Sequence, residues 1–506
     1  MGRRRRDRDG GAGHVSLPAK VLVANRGEIA VRIIRTLRTM GIASVAVFHA
    51  LDADGRAVRE ADEAVELTGD TPVGSYLDIA GIIAACQATG AEAVHPGFGF
   101  LSENADFAEQ LAAAGITFIG PPPAAIRAMG DKIESKRLAA AAGVPTLPGS
   151  DGAVADVDEA VAVADRIGYP VLLKASAGGG GKGMRTAADA AACREAFERA
   201  SSEALASFGD GRVFVERYVE RPRHIEVQVL ADAHGTVLHL AERECSIQRR
   251  YQKVIEESPS PAVDAATRER IGATAVALAR AVGYTSAGTV EMIADEQGGF
   301  WFLEMNTRLQ VEHPVTEAIT GIDIVAEQIR IAAGEPLAFG QDDVQVSGHA
   351  IECRIYAEDA DAGFVPATGR LGLVRFPAGP GVRIDHGVIE GQDVSSSFDP
   401  MIAKVIAHGP TRDEALELLR DALHSTVLLG VVTNTAFLAR VLAHPAFRSG
   451  ETHTGFLDDH AAELAPVAPD VELERCLVAA TALASPRFDQ RLAAPEPLAG
   501  MGEWRP

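Results

Sequence analysis

The chain has 506 residues, 47% hydrophobic and 23% charged, with a formal net charge of −22 at pH 7. That length supports about three domains with real cores, and so acidic a balance argues against a general nucleic-acid binder. Five scattered cysteines without metal spacing suit a reducing, cytoplasmic setting; no signal-peptide pattern is found, and no apolar run reaches the roughly 20 residues that cross a membrane.

Lysine occurs only seven times, at positions 20, 132, 136, 174, 182, 253 and 404. Routine surface charge comes from arginine, so a lysine is less often background, and Lys132, Lys174, Lys182 and Lys253 stand in unusual surroundings. Residues 1–16, with Arg3 to Arg6 and three glycines, read as a disordered basic tail. Lys20–Asn25 reads as a buried strand, Ile29–Met40 as a helix closed by Gly41, and Ser44–Phe48 as the next strand. This strand–helix–strand unit predicts a parallel sheet and an α/β class, without the dinucleotide fingerprint after the first strand. A helix over Ile79–Thr89 and a strand Ala93–His95 lead into the glycine-rich loop Pro96–Asn104, which opens a helix and reads equally as a plain turn capped by Ser102 or as a functional loop.

Pro121–Pro123 marks a first boundary, and Met129–Lys132 opens a helix through Ala142. A smaller unit over about 146–218 carries a helix near 158–167, a strand Val171–Lys174, a glycine loop Ala175–Gly183, a helix 188–207 and a strand Val213–Glu216. The loop lacks Walker A spacing, but consecutive glycines let backbone N–H groups close on phosphate oxygens, and Lys174 ends the preceding strand. Strands Ile225–Ala231 and Val237–Ala241 precede a donor-rich loop, Arg243–Lys253. A helix 268–282 follows, then strands Gly288–Ile293 and Phe300–Glu304 joined by a turn at 297–299. Glu291 and Glu304 then face each other on antiparallel strands, where like charges repel unless a cation holds them.

From Glu304 the polar residues Glu304, Asn306, Arg308, Gln310 and Glu312 recur at every second position, which on an extended strand places them on one face. Glu304 and Asn306 offer hard oxygen ligands for Mg²⁺, Arg308 a forked donor for a planar anion, and Glu312 a base. After Gly348 short strands follow, among them His349–Ile355 with Arg354 in an alternating pattern, then helices 412–425 and 433–443. The chain beyond about 462 is rich in Ala and Pro, with one helix near 472–483.

Taken together, Ala24–Ala30, His95–Asn104, the glycine loop, Arg223–Gln228, Cys245–Lys253 and Glu304–Pro314 make residues 18 to about 460 resemble biotin carboxylase, within the ATP-grasp superfamily. The resemblance implies an N-terminal parallel-sheet (pre-ATP-grasp) domain at 17–130, an ATP-grasp domain at 131–347 with a mobile lid at about 146–218, and a biotin carboxylase C-terminal domain at 348–461. Residues 462–506 would begin a linker toward a carrier domain. It implies that Lys132, Lys174 and the flap Gly178, Gly179, Gly180, Gly181, Lys182 and Gly183 hold ATP phosphates. Glu216 and the Val219 backbone would meet adenine, His224 the ribose, with Gln248 close by. Glu291, Glu304 and Asn306 would hold two Mg²⁺ or Mn²⁺ ions. Arg308, Gln310, the Val311 backbone and Lys253 would hold bicarbonate, Glu312 would deprotonate it, and Arg354 would stabilise the biotin enolate, with Arg308 and Lys253 also catalytic.

No lysine sits in a Met-Lys-Met-type hairpin, so biotin is expected on a separate carrier protein or domain. A carboxyltransferase is the further partner expected, and a homodimer the expected assembly. The same residues leave open another ATP-grasp ligase joining a carboxylate to an amine, a nucleotide-binding scaffold without turnover, and a final acceptor that is an acyl-CoA, pyruvate or urea.

Overall fold

The buried run Lys20–Val23 forms strand β1, joined by β2 (Ala43–Phe48), β3 (Glu63–Glu66), β4 (Ala93–His95) and β5 (Thr117–Phe118). These strands lie in the order β3-β2-β1-β4-β5 and every pair is parallel, as the strand–helix–strand reading requires. The computed structural model describes residues 16–176 and 183–466; the basic tail, most of the glycine loop and the expected helix at 472–483 lie outside them. The described chain up to Ala461 forms one compact unit.

The first helix spans Gly27–Met40, two residues earlier than apolar spacing predicts. Apolar periodicity does not count Glu28, whose acid is favoured in a first turn by the helix dipole. Gly41 ends the helix in the left-handed region at φ 72, donating to the Leu37 and Arg38 carbonyls. Asn25 joins the two N-terminal motifs: its Nδ2 donates to the Pro96 and Phe98 carbonyls at 2.7 Å each. Gly97 lies at φ +63, and a Cβ there would fall 3.0 Å from Asn25 Nδ2, so this junction needs glycine. Ser102 is not the cap expected. Asn104 caps the helix Ala105–Ala113, its Oδ1 accepting the Phe107 N–H at 2.9 Å.

Strands β6 (Val171–Ala175), β7 (Met184–Ala187) and β8 (Val213–Arg217) make a small antiparallel sheet in the order β7-β6-β8. The helices Val157–Ile167 and Ala190–Phe208 pack on it. Gly183, at the base of the glycine loop, accepts the Ala175 N–H through its carbonyl at 3.0 Å.

The largest sheet is antiparallel and eight-stranded. It contains β9 (Arg223–Ala231), β10 (Val237–Arg249), β11 (Gln252–Ser258), β12 (Ser286–Ala294), β13 (Phe300–Asn306), β14 (His349–Tyr356), β15 (Val382–His386) and β16 (Met401–Gly409). The order is β13-β12-β9-β10-β11-β14-β16-β15, so the sheet continues through the expected boundary at 347/348. Val227, Val229, Val290 and Met305 share one core on it with Ile271 and Ala275 of the helix Ala265–Ala281. Among the described residues no helix is long and apolar enough to cross a membrane.

Two local expectations need correction. The donor-rich stretch after residue 241 is not a loop: β10 runs on past an irregularity near Ala241 and turns at Arg250 and Tyr251, both at positive φ, into β11. Gln248 and Lys253 thereby become cross-strand partners. Strand β13 stops at Asn306, so one extended face does not carry all five polar residues. Glu103 is the physical reason: its Oε1 takes the Thr307 N–H at 3.0 Å, drawing the chain off the ladder before the helix His313–Thr320 begins. Arg354 is buried, because β14 is covered along its whole length between β11 and β16.

Candidate active site

Glu291 and Glu304 are register partners on β12 and β13, as the hairpin predicted. Burial and the neighbouring Glu291 carboxylate raise the Glu304 pKa above the usual carboxylate range, with Lys132 opposing. Glu291 lies well below that range, because Lys253 and His224 outweigh its burial. Its Oε1 accepts from Lys253 Nζ at 2.8 Å, Asn306 Nδ2 at 2.8 Å and Gln310 Nε2 at 3.0 Å, and its Oε2 is 3.1 Å from His224 Nε2. Two carboxylates side by side, with an amide oxygen at Asn306, form a hard-oxygen donor set that fits Mg²⁺ or Mn²⁺. A second acidic group, His224, Glu226 and Glu291, also gathers within 4.8 Å, but Lys253 and Arg243 already neutralise Glu226. The cation need is therefore at Glu304.

Lys253 stands at the centre. Its Nζ lies 2.5 Å from Glu226 Oε2, 2.6 Å from Glu312 Oε1 and 3.4 Å from Gln310 Oε1. Burial disfavours its charge, yet Glu226, Glu291 and Glu312 hold its pKa well above that of a free lysine. Glu312, 1% exposed, bridges Lys253 to Arg354, whose Nη2 is 2.9 Å from Glu312 Oε2 and 2.5 Å from Glu256 Oε1. Despite burial, Lys253 and Arg354 press the Glu312 carboxyl far below its ordinary range. Arg308 is aimed by two partners, Glu103 at 2.9 Å from its Nε and Asn306 Oδ1 at 2.9 Å from its Nη2.

Lys253, Glu291, Glu304, Arg308, Glu312 and Arg354 line one cavity of about 340 Å³, which also takes in Lys132, Lys174, Gln310 and Val311. Lys174 Nζ is 2.7 Å from Glu216 Oε2, and Lys136 Nζ is 2.8 Å from the other Glu216 oxygen. Glu216 thus anchors two lysines. A neighbouring cavity of about 550 Å³ shares Lys174, His224 and Gln248 and includes Val219. A third, of about 370 Å³, shares Arg308, Val311 and Arg354 and is lined by Phe98, Phe100 and Phe398. The charged chamber therefore sits between two others. Gly178 to Lys182 lie outside the described residues, so only Gly183 of the flap is placed.

Four residues of this cluster carried no role in the sequence reading: Lys136, Glu226, Arg243 and Glu256. Arg243 is fully buried and donates to Glu226 at 2.5 Å, Gln228 at 2.7 Å, Thr316 at 3.0 Å and Thr289 at 3.1 Å. The alternation His224, Glu226, Gln228 on β9 was a legible signal for part of this network. Three consecutive charged residues, Glu242, Arg243 and Glu244, after an apolar start to β10 were another.

The sequence matches three domain families in succession: biotin carboxylase, N-terminal domain (18–126); carbamoyl-phosphate synthase L chain, ATP binding domain (131–339); and biotin carboxylase C-terminal domain (352–459). It is 52% identical to the propionyl-CoA carboxylase alpha chain of Ruegeria pomeroyi over 486 residues, covering 92% of this chain and 71% of that one. It is 55% identical to the human mitochondrial propionyl-CoA carboxylase alpha chain, covering 87% of this chain but only 61% of the human one. Among solved structures, the biotin carboxylase domain dimer of Hydrogenobacter thermophilus 2-oxoglutarate carboxylase, in complex with MgADP, ADP and bicarbonate, superposes with a TM-score of 0.87 at 46% identity. That match covers 90% of this chain and all of the other. A charged chamber of this composition, three adjoining domain matches and relatives more than half identical together make this chain a member of the biotin carboxylase family.

Proposed function

We propose that this chain carboxylates carrier-borne biotin at the expense of ATP and bicarbonate, the first half-reaction of a biotin-dependent carboxylase. The observation that carries the reading is one continuous chamber in which a paired-acid cation site, a lysine, a base and two arginines converge. We assign Lys132 and Lys174 to the phosphates, with Gly178–Gly183 as the flap over them. Glu216, Val219, His224 and Gln248 border the nucleoside; the neighbouring cavity, lined by Val219, His224 and Gln248, supports this for those three, and Glu216 lines the charged chamber beside it. Glu291 and Glu304, with Asn306, would hold the divalent ions, which when bound would neutralise phosphate charge during transfer.

Arg308, Gln310, Val311 and Lys253 cradle bicarbonate. In its present pairing Glu312 is a weak base, because two cations stabilise its charge. An anion docked against Lys253 and Arg308 takes a share of that field and raises the proton affinity of Glu312. Glu312 then accepts the bicarbonate proton, a bicarbonate oxygen attacks the γ-phosphorus, and the bond to ADP breaks. The resulting carboxyphosphate yields CO₂ and phosphate, and the phosphate takes the biotin N1′ proton. Arg354 faces the developing enolate as a fixed cation.

The spans of the domain families support functional parts at 17–130, 131–347 and 348–461; we assign 146–218 as the lid and 462–506 as a linker on the resemblance alone. The chain spans 61% of the human relative's length; a biotin carrier and a carboxyltransferase are proposed as partners because carboxylation of biotin and onward transfer of the carboxyl group require them. A homodimer is proposed on the dimeric relative, and a reducing cytoplasm on the four cysteines among the described residues, all free and buried. The test is ADP release by the purified chain. Free biotin with bicarbonate should stimulate it; stimulation by an amino acid instead would favour a carboxylate–amine ligase.

A further inference from the structure

Lys404 is one of only seven lysines, and the functional reading gives it no task. It lies on β16 with no exposed surface. Its Nζ donates to the Val311 carbonyl at 2.6 Å and lies 3.2 Å from Glu28 Oε1. The Glu28 contact is an ion pair rather than an aligned hydrogen bond, since neither Glu28 oxygen accepts one among the described residues. Register sets Lys404 between Arg354 on β14 and Asp385 on β15. The buried ammonium thus touches three parts of the chain: the start of the first helix, the loop 307–312 and the C-terminal strands.

That loop lacks ladder bonds, because β13 ends at Asn306. Its backbone is held by Glu103 at Thr307, by the His313 ring on the Gln310 carbonyl at 2.7 Å, and by Lys404. The Val311 carbonyl belongs to the peptide that carries Glu312, so fixing its plane fixes where the Glu312 side chain leaves the backbone. Gly387 packs against the same region, where a Cβ would lie 2.6 Å from the Glu28 backbone nitrogen. Glu28 and Lys404 are thereby held together by backbone as well as by charge.

We infer that Lys404 is a positioning residue for the bicarbonate step: it locks the Val311–Glu312 peptide so that Glu312 spans Lys253 and Arg354, and Glu28 fastens that lock to the N-terminal domain. The inference rests on the proposed biotin carboxylation, but it has its own signature. A misplaced base harms the step that uses bicarbonate and leaves the nucleotide site, built on Lys132, Lys174 and Glu216, unchanged. In contrast, general loosening of the fold would lower both together.

The test measures biotin-dependent ADP release by the full chain against bicarbonate and ATP separately. Lys404→Met removes the donor; kcat/KM for bicarbonate should fall about 100-fold, since small displacements of reacting groups carry that cost, while KM for ATP stays within about twofold. Lys404→Arg, which can still donate to the carbonyl, should recover about tenfold of the loss. If Lys404→Met does not fold, Lys404→Gln supplies a shorter uncharged donor, and a bicarbonate-selective loss of about tenfold is expected. A bicarbonate kcat/KM within about threefold of wild type, or an equal loss toward ATP, overturns the inference. If the wild-type chain shows no bicarbonate-dependent ADP release at all, the functional reading itself falls; the Lys404 inference fails by itself only when wild type is active.

Discussion

Replacing Glu312 with Gln removes one negative charge from between two buried cations. Lys253 Nζ lies 2.6 Å from one Glu312 oxygen and Arg354 Nη2 lies 2.9 Å from the other. Breaking a buried ion pair commonly costs about 3–5 kcal/mol. Here Lys253 keeps Glu226 and Glu291, and Arg354 keeps Glu256, so the stability loss should sit nearer 1–3 kcal/mol, roughly that of one charge-assisted hydrogen bond. The catalytic loss should be larger. A missing general base lowers rate by about 10²–10⁴-fold, read as ADP formation at saturating bicarbonate. ATP affinity should change by no more than about twofold, because Lys174, assigned to the phosphates, is tied to Glu216, not to Glu312. The pH dependence of stability carries a further sign. Burial would raise the Glu312 carboxyl, but Lys253 and Arg354 hold it below the usual range. Its stabilising effect is thus fully present above the unfolded value of about 4.3 and fades only as pH falls toward the lowered folded value. The Tm gap between wild type and the Gln variant should be constant from about pH 6 to 8 and narrow in acid. Unchanged ADP formation, or a loss of ATP affinity as large as the loss of rate, would refute the reasoning.

Glu304→Gln should weaken Mn²⁺ binding in the presence of nucleotide by at least about tenfold, as read by electron paramagnetic resonance, because even outer-sphere partners of a metal carry that much; unaltered binding would return Glu304 to an ordinary half-buried acid. Lys174→Ala should raise the ATP dissociation constant about 10–100-fold, the worth of one charge-assisted hydrogen bond to phosphate; an unaltered constant removes Lys174 from the phosphate site. Glu256 is fully buried, and that burial pushes its carboxyl up to about 7 against the pull of Arg354. The folded chain then keeps a proton that the unfolded chain releases, so stability falls as pH rises from the unfolded value through 7. Glu256→Gln, which cannot ionise, should gain Tm relative to wild type between about pH 5 and 8, and a flat difference across that range contradicts the assignment.

The parts of this site that local pattern can encode were legible in the sequence. The Glu291–Glu304 pairing followed from a hairpin turn and strand parity, and β12 and β13 have that register. The alternation beyond Asn306 misled, because what ends β13 is Glu103, more than 200 residues away along the chain. No local periodicity carries that contact, yet Arg308, Gln310 and Glu312 still reach the chamber from a loop. The turn at Arg250 and Tyr251 was hidden for another reason: both residues adopt positive φ without being glycine, so the usual turn chemistry was missing. Arg243 and Glu256 matter through partners on other strands, which only the eight-stranded sheet brings together, and Lys404 through a helix start and a loop far from it in sequence.

The most direct test of the account is transfer of label from ¹⁴C-bicarbonate to biotin by the purified chain with MgATP. The account predicts acid-labile labelled carboxybiotin, formed one for one with ADP and lost together in Glu312→Gln. ADP formation without label on biotin, or label that appears without ATP, would contradict it.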